Sequence, residues 1–99
     1  MIKLGTESEL HKINHLPTDI QKAICEDISI LDNCYGKDRN IDEDMGGFVI
    51  ICDKDENLDI RHFDKDFEKP EFTQKICPYT KKLYLSGTER NIIIYERDL

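Results

Sequence analysis

Apolar residues in the first third of the chain recur at the spacing of an amphipathic helix. From residue 20 onward they follow the i, i+3, i+4 rule, in a stripe formed by Ile20, Ala23, Ile24, Ile28, Leu31 and Tyr35. Gly36 follows the stripe, at the position where glycine commonly ends a helix. Glu26, Asp27 and Asp32 lie off the stripe, so we expect these three acids to face water.

A shorter helix is expected ahead of this one. Its inner face would carry Leu10 and Ile13, and it would stop near Pro17, because proline disfavours helical backbone in the residue before it. The starts of both helices match the capping box, in which two residues each bind the other's free backbone donor. The two pairs are Thr6 with Glu9 and Thr18 with Gln21.

The other apolar segments predict strands. Residues 48–52 form an unbroken apolar run, which is typical of a buried strand in the middle of a sheet. Residues 82–86 and 91–96 flank a loop of hairpin length and predict a β-hairpin. Because the segments 48–52 and 92–95 are both apolar on two faces, we expect them to be neighbours in one sheet.

The pattern therefore predicts a single α+β domain over residues 1–99. One short and one long N-terminal helix would pack on a three- or four-stranded, mostly antiparallel sheet. Gly46 and Gly47 predict a turn, and residues 71–76 a helical turn, while residues 58–63 fit either a strand or one helical turn. One helix covers only one face of a sheet that is apolar on both, so a homodimer is an alternative.

The acidic residues are concentrated in one stretch. The chain has a net charge of −7, and residues 41–72 contain eleven acids and four bases, whereas residues 1–40 and 73–99 are nearly balanced. This balance argues against binding to nucleic acid or to anionic membranes, which requires basic surfaces. It favours a non-enzymatic acidic interaction module that attracts a basic protein partner, which could itself be a nucleic-acid-binding protein.

The predicted partner-binding residues are carboxylates of this stretch: Asp42, Glu43, Asp44, Asp55, Glu56, Asp59, Asp64 and Asp66. Aromatic residues such as Phe67 or Phe72 would add apolar contacts. A solvated face without any partner is the simpler alternative.

Part of the same stretch resembles a calcium-binding loop. Oxygen-bearing side chains occupy alternate positions, as in an EF-hand loop, at Asp53, Asp55, Asn57, Asp59 and Asp64. Leu58 stands where the EF-hand turn needs glycine, and Arg61 stands where a ligand is expected. A calcium-binding module is thus an alternative function, and a solvated acidic loop the simpler interpretation.

Histidines and cysteines offer weaker candidates. His11 and His15 have the i, i+4 spacing of metal ligands, but we expect both to be exposed surface residues, with no metal or other cofactor bound. The four cysteines form no C-x-x-C pair, and the amino terminus shows no secretory signal. We therefore expect a cytoplasmic protein whose reduced thiols pack as small apolar side chains.

A small enzyme is the third alternative. Cys77 would be its nucleophile, because Lys75, Lys81 and Lys82 lie close to it in sequence and positive charge lowers a thiol pKa. No other catalytic residue is predicted.

Residues 35–40 and the segment that follows them form a pattern of residue types that resembles a known group of proteins. A Tyr-Gly-Lys-Asp-Arg-Asn run leads through Asp42, Glu43 and Asp44 to Gly46-Gly47 and an apolar strand. This pattern resembles short uncharacterised accessory proteins of phages and conjugative elements of Gram-positive bacteria. The resemblance implies a cytosolic accessory protein and supplies no catalytic residue. It directs attention to the charged pair Asp38 and Arg39, and we expect Arg39 to hold its loop by pairing with an acid at 42–44.

Overall fold

The computed structural model describes residues 1–41, 46–54, 56, 72–86 and 89–97. Its elements, in chain order, are β1 (Ile2–Leu4), a 3-10 helix (Glu7–Ile13), α1 (Thr18–Tyr35), β2 (Phe48–Asp53), β3 (Phe72–Ile76), β4 (Tyr79–Ser86) and β5 (Glu89–Arg97). The α+β class predicted from the sequence is confirmed. Residues 58–63, for which the sequence fits either a strand or one helical turn, lie outside the described part of the chain.

The strands form one five-stranded sheet in the order β1-β2-β5-β4-β3. The pair β2 and β5 is parallel, from Phe48 opposite Ile92 to Asp53 opposite Arg97, and the other pairs are antiparallel. The predicted adjacency of the two apolar strands and the predicted β4–β5 hairpin are both confirmed. The predicted count of three or four strands is too low because it omits the edge strands β1 and β3.

Strand β3 replaces the helical turn predicted for residues 71–76. It pairs with β4 from Phe72 opposite Leu83 to Ile76 opposite Tyr79. The prediction was wrong because a segment of five residues has little conformational preference of its own. Backbone hydrogen bonds to a neighbouring strand decide its conformation.

Helix α1 covers one face of the sheet, as predicted. Its inner residues Ile20, Ile24, Ile28 and Leu31 are buried. They belong to one apolar core with the sheet residues Leu4, Val49, Ile51, Tyr79, Ile93 and Tyr95. Tyr35, placed on the inner stripe by its spacing, is exposed at the end of the helix.

The opposite face of the sheet is buried as well. A second core on that face contains Phe48, Ile50, Cys52, Tyr84, Ile92 and Ile94, with Ile41 packed against it. These side chains are buried within a single chain. The reason given for a homodimer, an uncovered apolar face, therefore does not apply to this part of the sheet.

Neither predicted capping box forms in full, although the Glu9 carboxylate accepts from the Thr6 backbone N–H as predicted. Thr6 makes no side-chain cap and instead contacts the Ser8 hydroxyl at 2.7 Å, while Glu9 Oε1 accepts from the Gly5 backbone N–H at 3.0 Å. Helix α1 has Pro17 at its N-cap, and Gln21 donates to the Leu16 carbonyl at 2.6 Å. At the other end, Gly36 has φ +89°, and its N–H donates to the Asp32 carbonyl at 3.0 Å. The predicted glycine stop is confirmed.

Asp27 does not face water. Its Oδ1 lies 2.8 Å from Lys81 Nζ on β4, and its Oδ2 accepts the hydroxyl hydrogen of Tyr95 on β5. Tyr95 is fully buried, and this burial, together with the Asp27 carboxylate, raises its pKa. The three side chains, here called the Asp27 cluster, join α1 to the sheet. The expected exposure was wrong because both partners are far away in sequence.

Asp32 is buried by a second ion pair, with Arg39. Arg39 Nη1 lies 2.5 Å from Asp32 Oδ1, and the two side chains are 6% and 2% exposed. The guanidinium also donates to three backbone carbonyls, those of Gly5, Gly36 and Gly47. Arg39 thus ties the end of α1 to β1 and to the start of β2. From the sequence we expected Arg39 to pair with an acid at 42–44, and these three residues lie outside the described part of the chain.

Three of the four cysteines are exposed: Cys25, Cys34 and Cys77. Only Cys52 is buried, and all four are free thiols. The prediction that the cysteines pack as small apolar side chains is therefore wrong for the exposed three. Among the helices that the structure describes, none is both long and apolar enough to cross a membrane.

Candidate functional site

A concave site lies at the end of the sheet where β2 and β5 finish together. Because these two strands are parallel, their last residues lie side by side, Cys52 opposite Glu96 and Asp53 opposite Arg97. Ligands of sheet proteins commonly bind beyond the carboxyl ends of parallel strands, where side chains from several elements converge. Here the residues that precede α1 and the residues that begin β4 converge on the same place.

The cavity at this edge, here called the edge pocket, has a volume of about 360 Å³. This is within the range of ~300–1,000 Å³ in which small ligands bind. Its walls are mostly apolar and consist of Met1, Ile2, Leu16, Pro17, Ile51, Cys52, Pro78 and Tyr79. The lining also includes the charged or titratable residues His15, Asp53, Glu56 and Arg97.

Two carboxylates lie at the rim of the edge pocket. Asp53 Oδ1 is 2.8 Å from Arg97 Nε, and the Asp53 side chain is 50% exposed. Although the atoms are close, the buried Arg97 Nε–H is not aligned for a hydrogen bond. The contact is therefore an ion pair in which Asp53 keeps hydrogen-bonding capacity, because a carboxylate has about four acceptor positions.

Glu56 is held beside Asp53 by local hydrogen bonds. Its Oε1 accepts from the Asp53 backbone N–H at 3.3 Å, and its own N–H donates to the Asp53 carbonyl at 3.0 Å. The Glu56 Oε2 lies 2.8 Å from the amino group of Met1. The turn after β2 thus places two carboxylates at one side of the pocket.

The cysteine in the pocket wall is not an activated nucleophile. Burial raises the pKa of Cys52 to about 11, and the nearby carboxylates Glu96 and Glu56 act in the same direction. A thiol with this pKa is protonated near neutral pH and reacts slowly. Burial also raises the pKa of Tyr79, so its hydroxyl is neutral there. The edge pocket therefore has no activated thiol in its wall.

Most of the predicted partner-binding residues lie outside the described part of the chain. Of that set only Glu56 is described, and it is at the rim of the edge pocket. The others are Asp42, Glu43, Asp44, Asp55, Asp59, Asp64 and Asp66. Arg97, Tyr79 and Leu16 line the pocket but were not predicted as site residues. Their position near Asp53 depends on the sheet register and on the packing of α1, which the local sequence pattern does not show.

The candidate metal ligands are scattered in the described residues. No group of three or more His, Cys, Asp or Glu side chains is placed there to hold a metal ion. His11 and His15 are both exposed, as expected, and His11 Nδ1 lies 3.2 Å from the Ser8 carbonyl oxygen. Of the predicted calcium ligands, Asp53 is described and lies against Arg97.

Cys77, the candidate nucleophile, is exposed in the turn between β3 and β4. Two of the lysines expected to activate it are engaged elsewhere. Lys81 pairs with Asp27, and Lys82 pairs with Glu96 at 2.6 Å. Both ammonium groups therefore have carboxylate partners rather than the Cys77 thiol.

Comparisons with protein-family models, with curated proteins and with solved structures found no match for this chain.

Proposed function

We propose that the protein is a non-enzymatic binding module that recognises a basic surface on a protein partner. The observation that carries this proposal is the charge of residues 41–72, where eleven acids stand against four bases. Clustered charge of one sign attracts a partner of the opposite sign over several ångströms and speeds its association.

The ion pairs of the described residues support this interpretation. Basic side chains outside the acidic stretch are bound to acids within the fold, as in the pairs Lys12–Glu9, Lys37–Glu7, Arg39–Asp32, Lys81–Asp27 and Lys82–Glu96. Two acids of residues 41–72 are also paired with cations of the described residues, Asp53 with Arg97 and Glu56 with the Met1 amino group. The five lysine and arginine side chains of the first set thus neutralise acids outside the stretch, so they do not offset the excess negative charge of residues 41–72.

The contacts of Ile41 and Gly47, which flank Asp42, Glu43 and Asp44 in sequence, also support it. Ile41 packs against the second core, and Gly47 donates to the Asn91 carbonyl at 2.7 Å while its own carbonyl accepts from Arg39. Ile41 and Gly47 are therefore held by contacts within the fold. We propose Asp42, Glu43 and Asp44 as one part of the partner-binding surface, and Glu56 at the edge pocket as another. The resemblance to accessory proteins of phages and conjugative elements would place such a module in a bacterial cytoplasm.

The proposal is tested with two variants of equal charge. In the first, Asp42→Asn, Glu43→Gln and Asp44→Asn remove three acids from the acidic stretch. In the control, Asp19→Asn, Glu26→Gln and Asp38→Asn remove three exposed acids from elsewhere. Binding of a fluorescent oligolysine peptide to the full chain is measured by anisotropy. We expect the first variant to bind more weakly than the control, and equal weakening would show that only net charge matters.

A further inference from the structure

The rim of the edge pocket is balanced in charge. Asp53 lies 2.8 Å from Arg97, and Glu56 lies 2.8 Å from the Met1 amino group, so each carboxylate already has a positive partner. A charged ligand at this rim would have to compete with one of these pairs for its partner. It would also lose part of its own hydration, which costs more for an ion than for a neutral polar group. The rim therefore favours an uncharged ligand.

The interior of the edge pocket is apolar and continuous with the core. Ile51 and Leu16 are buried, and Pro17 and Pro78 add further apolar surface to the wall. Small-molecule sites typically combine such walls with a few placed polar groups that orient the ligand. A ligand of this pocket therefore needs a mostly apolar body, and its orientation depends on the polar groups beside that body.

One polar group in the wall has an unused donor. Tyr79 is 5% exposed and lines the pocket, and in the described part of the chain its hydroxyl has no hydrogen-bond partner. In the sheet Tyr79 lies opposite Arg97, which lies opposite Asp53 on its other side. Burial raises the pKa of Tyr79, and the charges of Arg97 and Asp53 act on it in opposite directions, so the neutral hydroxyl lies near both. Because a buried tyrosine hydroxyl usually has a partner, this donor is available to an acceptor on a ligand.

Asp53 supplies the complementary acceptor at the opening. Its Oδ1 lies against Arg97 Nε, and its side chain is half-exposed. A carboxylate has about four acceptor positions, so Asp53 is able to accept from a ligand without leaving its ion pair. A donor in the wall and an acceptor at the rim match a head group that carries both a carbonyl oxygen and an N–H, as a carboxamide does.

We infer that the edge pocket binds a small uncharged molecule with an apolar body and a carboxamide head. The carbonyl of the head accepts from the Tyr79 hydroxyl, its N–H donates to Asp53, and the body lies against Leu16 and Ile51. This site is separate from the proposed recognition of a basic partner, which rests on the charge of residues 41–72. The failure of either proposal leaves the other standing.

The test uses the full chain and three probes of nearly equal size and shape. Benzamide carries an uncharged carboxamide, benzoate carries an anion in its place, and benzamidinium carries a cation. Each probe is titrated to millimolar concentrations near neutral pH, and binding is followed through the backbone amide signals of the protein in two-dimensional NMR. We expect benzamide to give saturable shifts of pocket signals such as those of Ile51, Cys52 and Tyr79. Each charged probe should bind about tenfold more weakly, because its lost hydration is not compensated at a balanced rim.

Two substitutions test the contacts of the head group. Tyr79→Phe removes one hydroxyl and keeps the buried ring, and Tyr35→Phe at the exposed end of α1 is the matched control. Loss of a neutral hydrogen bond weakens an affinity by about two- to tenfold, and we expect this loss of benzamide affinity for Tyr79→Phe and none for the control. Asp53→Asn leaves Arg97 without its carboxylate, so this variant should bind benzoate more tightly than the unmodified chain does.

Three results would each overturn the inference. They are the absence of saturable pocket shifts with benzamide, equal or tighter binding of either charged probe, and an unchanged benzamide affinity in a folded Tyr79→Phe variant. If Tyr79→Phe does not fold, Asp53→Asn decides, and an unchanged benzoate affinity in that variant would contradict the inference. Oligolysine binding is measured on the same protein, so that a failure of the pocket site is distinguished from a failure of the proposed function.

Discussion

Replacement of Arg39 by methionine should destabilise the protein severely. The substitution keeps an aliphatic side chain but leaves the Asp32 carboxylate, which is 2% exposed, without its positive partner. The Asp32 Oδ2 already lacks a hydrogen bond in the native fold, so the remaining oxygen would lose its main donor too. Removing one member of a buried ion pair costs about 3–5 kcal/mol. That is a large part of the ~5–15 kcal/mol that stabilises a typical domain.

Urea unfolding followed by circular dichroism measures this loss. The control is Lys37→Met, which breaks the exposed pair with Glu7 and should cost only about 0–1 kcal/mol. The double variant Arg39→Met with Asp32→Leu should recover part of the loss, because it leaves no unpaired charge in the core. If Arg39→Met does not fold, Arg39→Lys is measured instead. Lysine keeps the charge but lacks the planar guanidinium group, so the loss in free energy of unfolding should be intermediate. A loss for Arg39→Met no larger than that for Lys37→Met would refute the reasoning.

Three further predictions concern the core. Tyr95→Phe removes the hydroxyl that donates to Asp27 and should lower the free energy of unfolding by about 1.5–3 kcal/mol in urea melts; an unchanged midpoint would contradict it. The pKa of Cys52 is raised from 9.0 to about 11 in the folded protein, so its contribution to stability is complete below pH 9 and is lost as the pH rises toward 11. Urea melts across this range should show stability falling with pH, and Cys52→Ala should reduce the slope; an equal slope in the variant would show that other groups cause it. Gly47→Ala places a Cβ 2.9 Å from Arg39 Nε at φ +80° and should cost at least about 1–2 kcal/mol of backbone strain, whereas full retention of stability would mean that the turn adapts.

The parts of the fold that could be predicted are those set by local pattern. The buried face of α1 follows from Ile20, Ile24, Ile28 and Leu31, since helical spacing alone brings them together. The unbroken apolar runs at 48–52 and 92–95 predict adjacent central strands, because each must be covered on two faces. The positive φ angles of Gly46 and Gly47 agree with the predicted turn into β2.

The parts that could not be predicted depend on partners far away in sequence. Asp27 and Asp32 were expected in water because their helical positions lie beside the apolar stripe, yet Lys81 and Arg39 bring them into the interior. Strand β1 has three residues, too few to show an alternating pattern, and it forms by pairing with β2. The edge pocket was missed for the same reason, since the register that sets Asp53 beside Arg97 is a property of the whole sheet.

The central claim, recognition of a basic partner surface by the acidic stretch, is tested most directly by the salt dependence of oligolysine binding to the full chain. The electrostatic screening length shortens from about 30 Å at 0.01 M salt to about 8 Å at 0.15 M. We expect an affinity that falls steeply over this range and a weaker salt dependence when Asp42, Glu43 and Asp44 are neutralised, since eight of the eleven acids remain. An affinity that does not change with salt, or a salt dependence unaffected by those substitutions, would contradict it.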